Sequence, residues 1–438
     1  MTIRSSKKLD LKAQKGKKVE ISFDGGDITS DGGVLLLQKA DERIGLLKQV
    51  AARFKDPRRQ ASCEHSVLHL LRQRVYGIAL GYEDLNDHDT LRNDLAIQTA
   101  VGADKALGSH STLSRLEHWA DRDLALQIHE VMFHQFVSSF KEAPSELILD
   151  FDATDDVIHG NQEGAYYHGY YGNYCFLPLY VTCGDKMLVS YLRRSSQDQA
   201  KHAWAIFSIL VKNLKKVWPR VKIIFRGDSG FCRHKMLSWC ERQENVFYVV
   251  GIAQNKRILE QAEPWTSQAA MQFDHTQEKQ RVFGEITYQA NSWDRPRFVI
   301  IKAEHLEKGA NPRFIITNAQ GTPQALYEKI YCARGEMENR IKEQQLDLYA
   351  DRTSCHDWWP NQLRLLLSSL AYVLIESIRS VALTGSKMAQ STAGTIRLKL
   401  FKIGAVILRN TRRIRFLFSS SYPCQDLFLL ALQRLVPK

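Results

Sequence analysis

Apolar residues along the chain change their spacing at a few well-marked points, and those points divide it. Val19-Glu-Ile-Ser-Phe alternates as a half-buried strand does, a turn follows at Gly25-Gly26, and Gly32-Gly33 precedes Val-Leu-Leu-Leu. From about residue 38 to 140 the apolar positions recur at three and four. His65-Ser-Val-Leu-His-Leu-Leu-Arg and Asp123-Leu-Ala-Leu-Gln-Ile-His-Glu-Val-Met-Phe are examples. This spacing predicts a mainly helical N-terminal domain over 1–145. After Pro144 the period shortens. Leu147-Ile-Leu-Asp-Phe-Asp152 predicts a strand ending in carboxylates, and 174–182 and 187–193 predict two more around a Gly184-Asp185 turn. Residues 202–217 have helical spacing and stop before Pro219. Val221-Lys-Ile-Ile-Phe then runs into Arg226-Gly-Asp-Ser-Gly-Phe231.

The order is thus strand, strand, strand, helix, strand. A helical crossover after two hairpins returns the chain parallel to its first strand, with right-handed sense. That is the opening of a ribonuclease-H-like fold, in which strands one and four are neighbours. A helix at 234–243 and a strand at 246–253 complete the first part of this core, 146–255. Three strands, 285–289, 297–304 and 313–318, predict a β-rich insertion over 256–322. The core resumes over 323–380 with helices at 323–347 and 360–379, the latter started by Asp357 and Pro360. Residues 381–438 predict a basic C-terminal helical region with a helix near 395–410. The fold class expected is α/β: a ribonuclease-H-like core interrupted by a β-rich insertion, with a mainly helical N-terminal domain. The most apolar run, 365–375, is too short to span a bilayer and predicts a core helix, so no membrane partner is expected.

Composition narrows the partner. The net charge is +12 and the pI about 9.2, an excess that favours a polyanion such as double-stranded DNA. It gathers at the ends: 1–20 carry seven Lys/Arg against Asp10 and Glu20, and 391–438 carry nine against Asp426. Eight cysteines show no Cys-x-x-Cys pair, which argues against a zinc site and fits thiols in a reducing cytosol. No apolar leader opens the chain, so a cytoplasmic location is expected.

The chemistry lies in three acids. Read as a helix, 331–345 places Tyr331, Arg334, Glu338, Lys342 and Gln345 within an arc of about 80°. Glu336 and Glu343 project elsewhere, which singles out Glu338. Alone, that pattern also suits a solvated helix with an i,i+4 pair between Glu338 and Lys342. Asp152 and Asp228, however, end hydrophobic strands, where a polar residue has no packing purpose. Three carboxylates from three elements suit Mg2+ or Mn2+. Two such ions about 3.5–4 Å apart can activate an attacking oxygen and stabilise the leaving oxygen of a phosphodiester. Asp150 shares a strand face with Asp152 and is the alternative ligand.

Asp152-Ala-Thr154, Arg226-Gly-Asp-Ser-Gly-Phe231 and Tyr331-x2-Arg334-x3-Glu338 resemble the three signatures of insertion-sequence DDE transposases of the Tyr-Arg-Glu-Lys branch. The Gly/His/Tyr-rich run that continues from Asp152 to Gly172 is similar to that of the group named after insertion sequence thirteen-eighty. The resemblance covers roughly 145–380. It implies catalytic and metal-binding roles for Asp152, Asp228 and Glu338, with Tyr331 and Arg334 holding phosphates of the DNA end. The family places a Lys seven residues after the Glu; here that position is Gln345, and Lys342 is the cation one turn earlier. Over 159–174, His159, His168 and five Tyr offer phosphate contacts or base stacking, or else pack on the sheet. Trp293 is the counterpart of an aromatic that related enzymes stack on an unpaired base, unless it too is packing. The expected activity is cleavage at element ends and transfer of the 3′-OH strands into target DNA. The expected assembly is a dimer on terminal inverted repeats, in the bacterial cytoplasm on nucleoid DNA. A nuclease of the same fold without strand transfer, and a catalytically silent DNA-binding derivative, are the alternatives.

Overall fold

A computed structural model describes residues 9–436; Arg4, Lys7 and Lys8 of the basic N-terminal stretch, and Lys438, lie outside the described residues. The chain forms two compact units. The first takes residues up to Leu124, Asp347–Tyr349 and those from Leu370 onward; the second takes Ala125–Leu346 and Ala350–Ser369.

In the first unit the expected helices form, among them Val34–Ile44, Val67–Leu80, Leu95–Val101 and His110–Glu117. Gly32-Gly33 is explained by close approach rather than by a turn. A Cβ on Gly33 would fall 1.8 Å from the Leu400 carbonyl oxygen, and the Gly33 N–H donates to the Phe401 carbonyl at 3.1 Å. The C-terminal region is therefore not a separate helical appendage. Its helical turn ends at Phe401, and Ala405–Arg409 and Ile414–Phe418 form a hairpin that pairs with Ile28–Thr29. Apolar runs this short do not distinguish strand from helix by period alone, and the helix expected near 395–410 gives way to a strand from Ala405.

The second unit is built on a nine-stranded mixed sheet. Its strands are β1 (Glu146–Ala153), β2 (Leu179–Cys183), β3 (Lys186–Tyr191), β4 (Lys222–Gly227), β5 (Val246–Gly251), β6 (Gln280–Tyr288), β7 (Arg297–Leu306) and β8 (Arg313–Thr317). They lie in the order β6-β7-β8-β5-β4-β1-β2-β3, with Gly309–Ala310 paired to β7. The helix Ala203–Val217 (α1) carries the chain from β3 to β4, and β4 pairs parallel to β1. Apolar side chains from both layers meet beneath: Phe151 and Phe225, with ring centroids 4.8 Å apart, and Phe207 of α1 are fully buried.

Three expectations are corrected here. The strand expected over 174–182 breaks at Pro178, which has no N–H for a ladder. Its first half, Asn173–Phe176, joins Asp156–Val157 and Tyr166–His168 in a separate small sheet. Residues 256–322 hold the three expected strands, but a helix that was not expected precedes them. Lys256–Thr276 (α2) is a helix of 21 residues that packs on β6 and β7, and β6, β7 and β8 extend the central sheet through β5. Pro264 reads as a breaker, yet the helix holds because Ile258, Ala262 and Ala269 bury along one stripe. The 365–375 run belongs to a longer helix, Trp358–Ala382, which by length and composition alone could cross a membrane; 72% of its most apolar window is buried inside the protein.

Candidate active site

Parallel pairing of β4 with β1 sets Arg226 opposite Asp150 and Gly227 opposite Phe151. Asp152 and Asp228 therefore stand one residue beyond that last pair, at the same ends of neighbouring strands. Asp152 is 9% exposed. Burial lifts its carboxyl to about 6; Arg334 opposes the shift, while the negative charges of Asp228 and Glu338 add to it. Asp228 caps the turn Ser229–Phe231: one oxygen accepts from the Gly230 N–H at 2.9 Å, and the other accepts from the Gln199 amide at 3.2 Å.

Glu338 comes from the third element. Residues 323–347 follow a helical path as expected, but not at a uniform 100° per residue. Leu326–Tyr331 and Glu343–Asp347 are π turns and Cys332–Arg334 is a 3-10 turn, flanking the α-helix Gly335–Lys342 (α3). Glu338, half exposed, pairs with Arg334 at 3.2 Å rather than with Lys342. Arg334 also donates to Asp152 at 3.1 Å. One guanidinium thus spans two of the three acids. Burial works against its charge, but Asp152, Tyr331, Asp228 and Glu338 together raise its pKa.

Asp150 shares the strand face, but it is a structural acid. Arg226 grips both its oxygens, one at 2.6 Å, and the same guanidinium donates to the Ile330 and Ala333 carbonyls at the start of the Glu338 helix. Asp150 is 2% exposed, and burial raises its pKa against the pull of Arg226. Tyr331 packs on Tyr327 with ring centroids 5.5 Å apart. With Ser229, Gln254 and Arg313 it lines a cavity of about 250 Å3. Gly251 permits this: a Cβ there would lie 2.7 Å from the Tyr331 hydroxyl.

The remaining sequence candidates are placed as follows. Lys342 and His159 are exposed. Gln345 donates to the Asp155 carbonyl at 3.0 Å, tying the π turn to the segment just after Asp152. Trp293 is corrected to a packing residue: it is 9% exposed, edge-on to Tyr288 at 5.6 Å, with the Arg297 guanidinium 5.1 Å from its ring centroid. Gln199 and Arg226 were passed over by sequence reading. Only Arg226, two residues before Asp228, had a signal that could have found it.

The donor set, three carboxylates, has the hard oxygen chemistry of a divalent-ion site. As folded, the negative charge is met by Arg334, and among the described residues no three His, Cys, Asp or Glu side chains converge closely enough to hold an ion.

The sequence matches the family model described as transposase DDE domain, group 1, over residues 11–438. No curated protein matches the chain. A cryo-EM structure of a piggyBac transposase synaptic complex with hairpin DNA aligns over 85% of this chain and 79% of its own, at 13% identity and a TM-score of 0.40, too low to argue from. The family model spans nearly the whole sequence, so the chain belongs to the DDE-domain transposases of group 1 and is a DNA-cleaving and strand-transferring enzyme.

Proposed function

We propose that Asp152, Asp228 and Glu338 are the catalytic triad, acting in a ribonuclease-H-like core on the ends of a mobile element. The observation that carries this reading is the Arg334 bridge. It draws Glu338 to Asp152, while parallel pairing puts Asp228 on the next strand end. The order β3-β2-β1-β4-β5 supports the ribonuclease-H-like assignment. Enzymes of this family generally use divalent metal ions. Here the three acids would hold one or two Mg2+ or Mn2+, whose chemistry is to make an attacking water or 3′-OH nucleophilic and to offset charge on the leaving oxygen.

This chain's own residues prepare that state. Gln199 orients the Asp228 carboxylate. Arg334 keeps Asp152 and Glu338 compensated before substrate arrives, then releases them and turns to a phosphate of the DNA end, with Tyr331 beside it. Gln345 positions the strand exit after Asp152 and is not itself a cation for the DNA. In the first unit, Arg412, Arg413 and Arg415 surround the exposed hairpin turn capped by the Asn410 side chain. They have no acidic partner among the described residues and suit duplex phosphates. The Gly/His/Tyr run supports placement in the thirteen-eighty group. A dimer bridging two terminal inverted repeats, working on the nucleoid in the bacterial cytoplasm, is the assembly this chemistry needs.

The test is incubation of the purified chain with DNA carrying the element ends. Cleavage and joining should require Mg2+ or Mn2+ and disappear in Asp228→Asn and Glu338→Gln. Retained joining in either variant sinks the triad, and hydrolysed ends without joined products would identify a nuclease instead.

A further inference from the structure

Directly after the strand that bears Asp152, the chain builds a small sheet whose rings face water. Tyr166–His168 pairs antiparallel with Asn173–Phe176, and Asp156–Val157 closes the other edge. Gly172, at φ +70°, makes the turn and donates to the His168 carbonyl at 2.8 Å. Tyr166, Tyr167, Tyr170 and Tyr174 are 52, 51, 86 and 58% exposed. Tyr167 and Tyr174 sit directly opposite across the ladder with ring centroids 5.5 Å apart, and Tyr170 meets Tyr171 at 5.0 Å.

This sheet is anchored rather than loose. Thr353 donates to Asp156 at 2.8 Å, the Glu163 N–H donates to the His356 carbonyl at 2.7 Å, and the Trp358 N–H donates to Glu163 at 3.2 Å. Its inner side is buried through Cys175 and Phe176. Folding therefore holds the tyrosines out in water, although a cluster of exposed rings is an unfavourable surface for a protein without a partner for it. The patch also adjoins the acids: Tyr171 is half-buried and lies within electrostatic reach of Asp155 and Asp152, which with burial lift its hydroxyl to about 12.

Charge decides what the partner is. From Ala153 to Asp185 there is no Lys or Arg, while Asp155, Asp156 and Glu163 are present. Arg194 is paired with Glu163 at 3.7 Å and sits 6.0 Å from the centre of the Trp358 ring. A duplex backbone needs several unpaired cations, but this segment has no Lys or Arg of its own and Arg194 beside it is paired. Flat, uncharged rings instead match the faces of bases, which are open only where strands are unpaired. We infer that the tyrosine hairpin, residues 166–176, is a stacking platform for unpaired nucleotides beside the scissile end. The inference rests on the reading of Asp152, Asp228 and Glu338 as the cutting site.

The platform is tested by fluorescence anisotropy of the full chain in EDTA, so that no metal and no cleavage are involved. The probes are a duplex ending in a short single-stranded thymidine extension and the same duplex blunt. Wild type binds the extended probe more tightly. The triple variant Tyr167→Ala, Tyr170→Ala, Tyr174→Ala loses about ten- to a hundred-fold in affinity for the extended probe and nothing for the blunt one. The corresponding Tyr→Phe triple, which keeps the rings, binds as wild type. The platform is overturned if wild type does not prefer the extended probe, if the Ala triple binds it unchanged, or if the Phe triple falls as far as the Ala triple. A lower sedimentation mass for the Ala triple with unchanged extended-probe affinity would assign the tyrosines to a second copy of the chain. Any of these results leaves the carboxylate assignment standing, because that is judged by cleavage and joining alone.

Discussion

Asp152→Asn should make the protein more stable at neutral pH while removing its activity. The carboxyl, 9% exposed and close to two other acids, ionises only at about 6 instead of its ordinary 3.8. At about 1.4 kcal/mol per pH unit, holding it ionised above pH 7 costs the folded state about 3 kcal/mol. The sign follows from the raised folded pKa. Below about pH 4 the group is protonated in both states and nothing is lost. As pH rises to 6 the unfolded chain ionises freely and the folded one resists, so stability falls, and about half of the loss is in place by pH 5. An amide keeps the shape and can still accept from Arg334 without the charge. The assay is urea unfolding followed by tryptophan fluorescence in EDTA between pH 5 and 8, since every tryptophan except Trp119 lies in the second unit. The variant should gain about 1–3 kcal/mol at pH 7.5, less at pH 5. Addition of Mg2+ should narrow the gap by stabilising wild type. A variant less stable than wild type at pH 7.5, or a gain that does not change with pH, would refute the reasoning.

Three further outcomes follow from the same geometry. Arg334→Met should destabilise by about 1–3 kcal/mol at pH 7.5, and much less in an Asp152→Asn background, because the charge it offsets is then gone; a double-mutant cycle showing no coupling would dissolve the bridge. Arg226→Met leaves Asp150 buried without its partner and should cost about 3–5 kcal/mol of unfolding free energy; an unchanged urea midpoint would contradict the structural role given to that pair. Trp293→Ala should cost about 3–5 kcal/mol by opening the core beside Tyr288, with DNA affinity intact; weakened DNA binding at unchanged stability would return Trp293 to the DNA.

Much of the scaffold was legible because its causes are local. Leu147–Asp152 and Val221–Phe225 are apolar runs closed by polar residues, and the helical spacing between them, stopped before Pro219, forces a crossover and hence a parallel pair. That alone brings Asp152 and Asp228 to one edge. Glu338 was likewise legible as the one acid whose helical phase pairs it with Tyr331 and Arg334. The α2 helix contains Pro264, whose local tendency to break a helix is outweighed by burial against a sheet that no local window contains.

Period, breakers and strand ends are properties of neighbouring residues, so the three candidate acids and the strands and helix that carry them are legible along the chain. Tertiary structure separated the carboxylate gripped at both oxygens by one arginine, Asp150, from the one left beside the other two acids, Asp152. Asp150 and Asp152 are equivalent by alternation, and only the Arg226 side chain across the parallel pair takes one of them out of use. It also decided that Arg334 spans Asp152 and Glu338, that Trp293 is core, and that the C-terminal segment pairs with Ile28–Thr29. Each of these depends on residues far apart in the chain meeting at hydrogen-bond or packing distance, where burial and charge act between partners that no sequence window can pair.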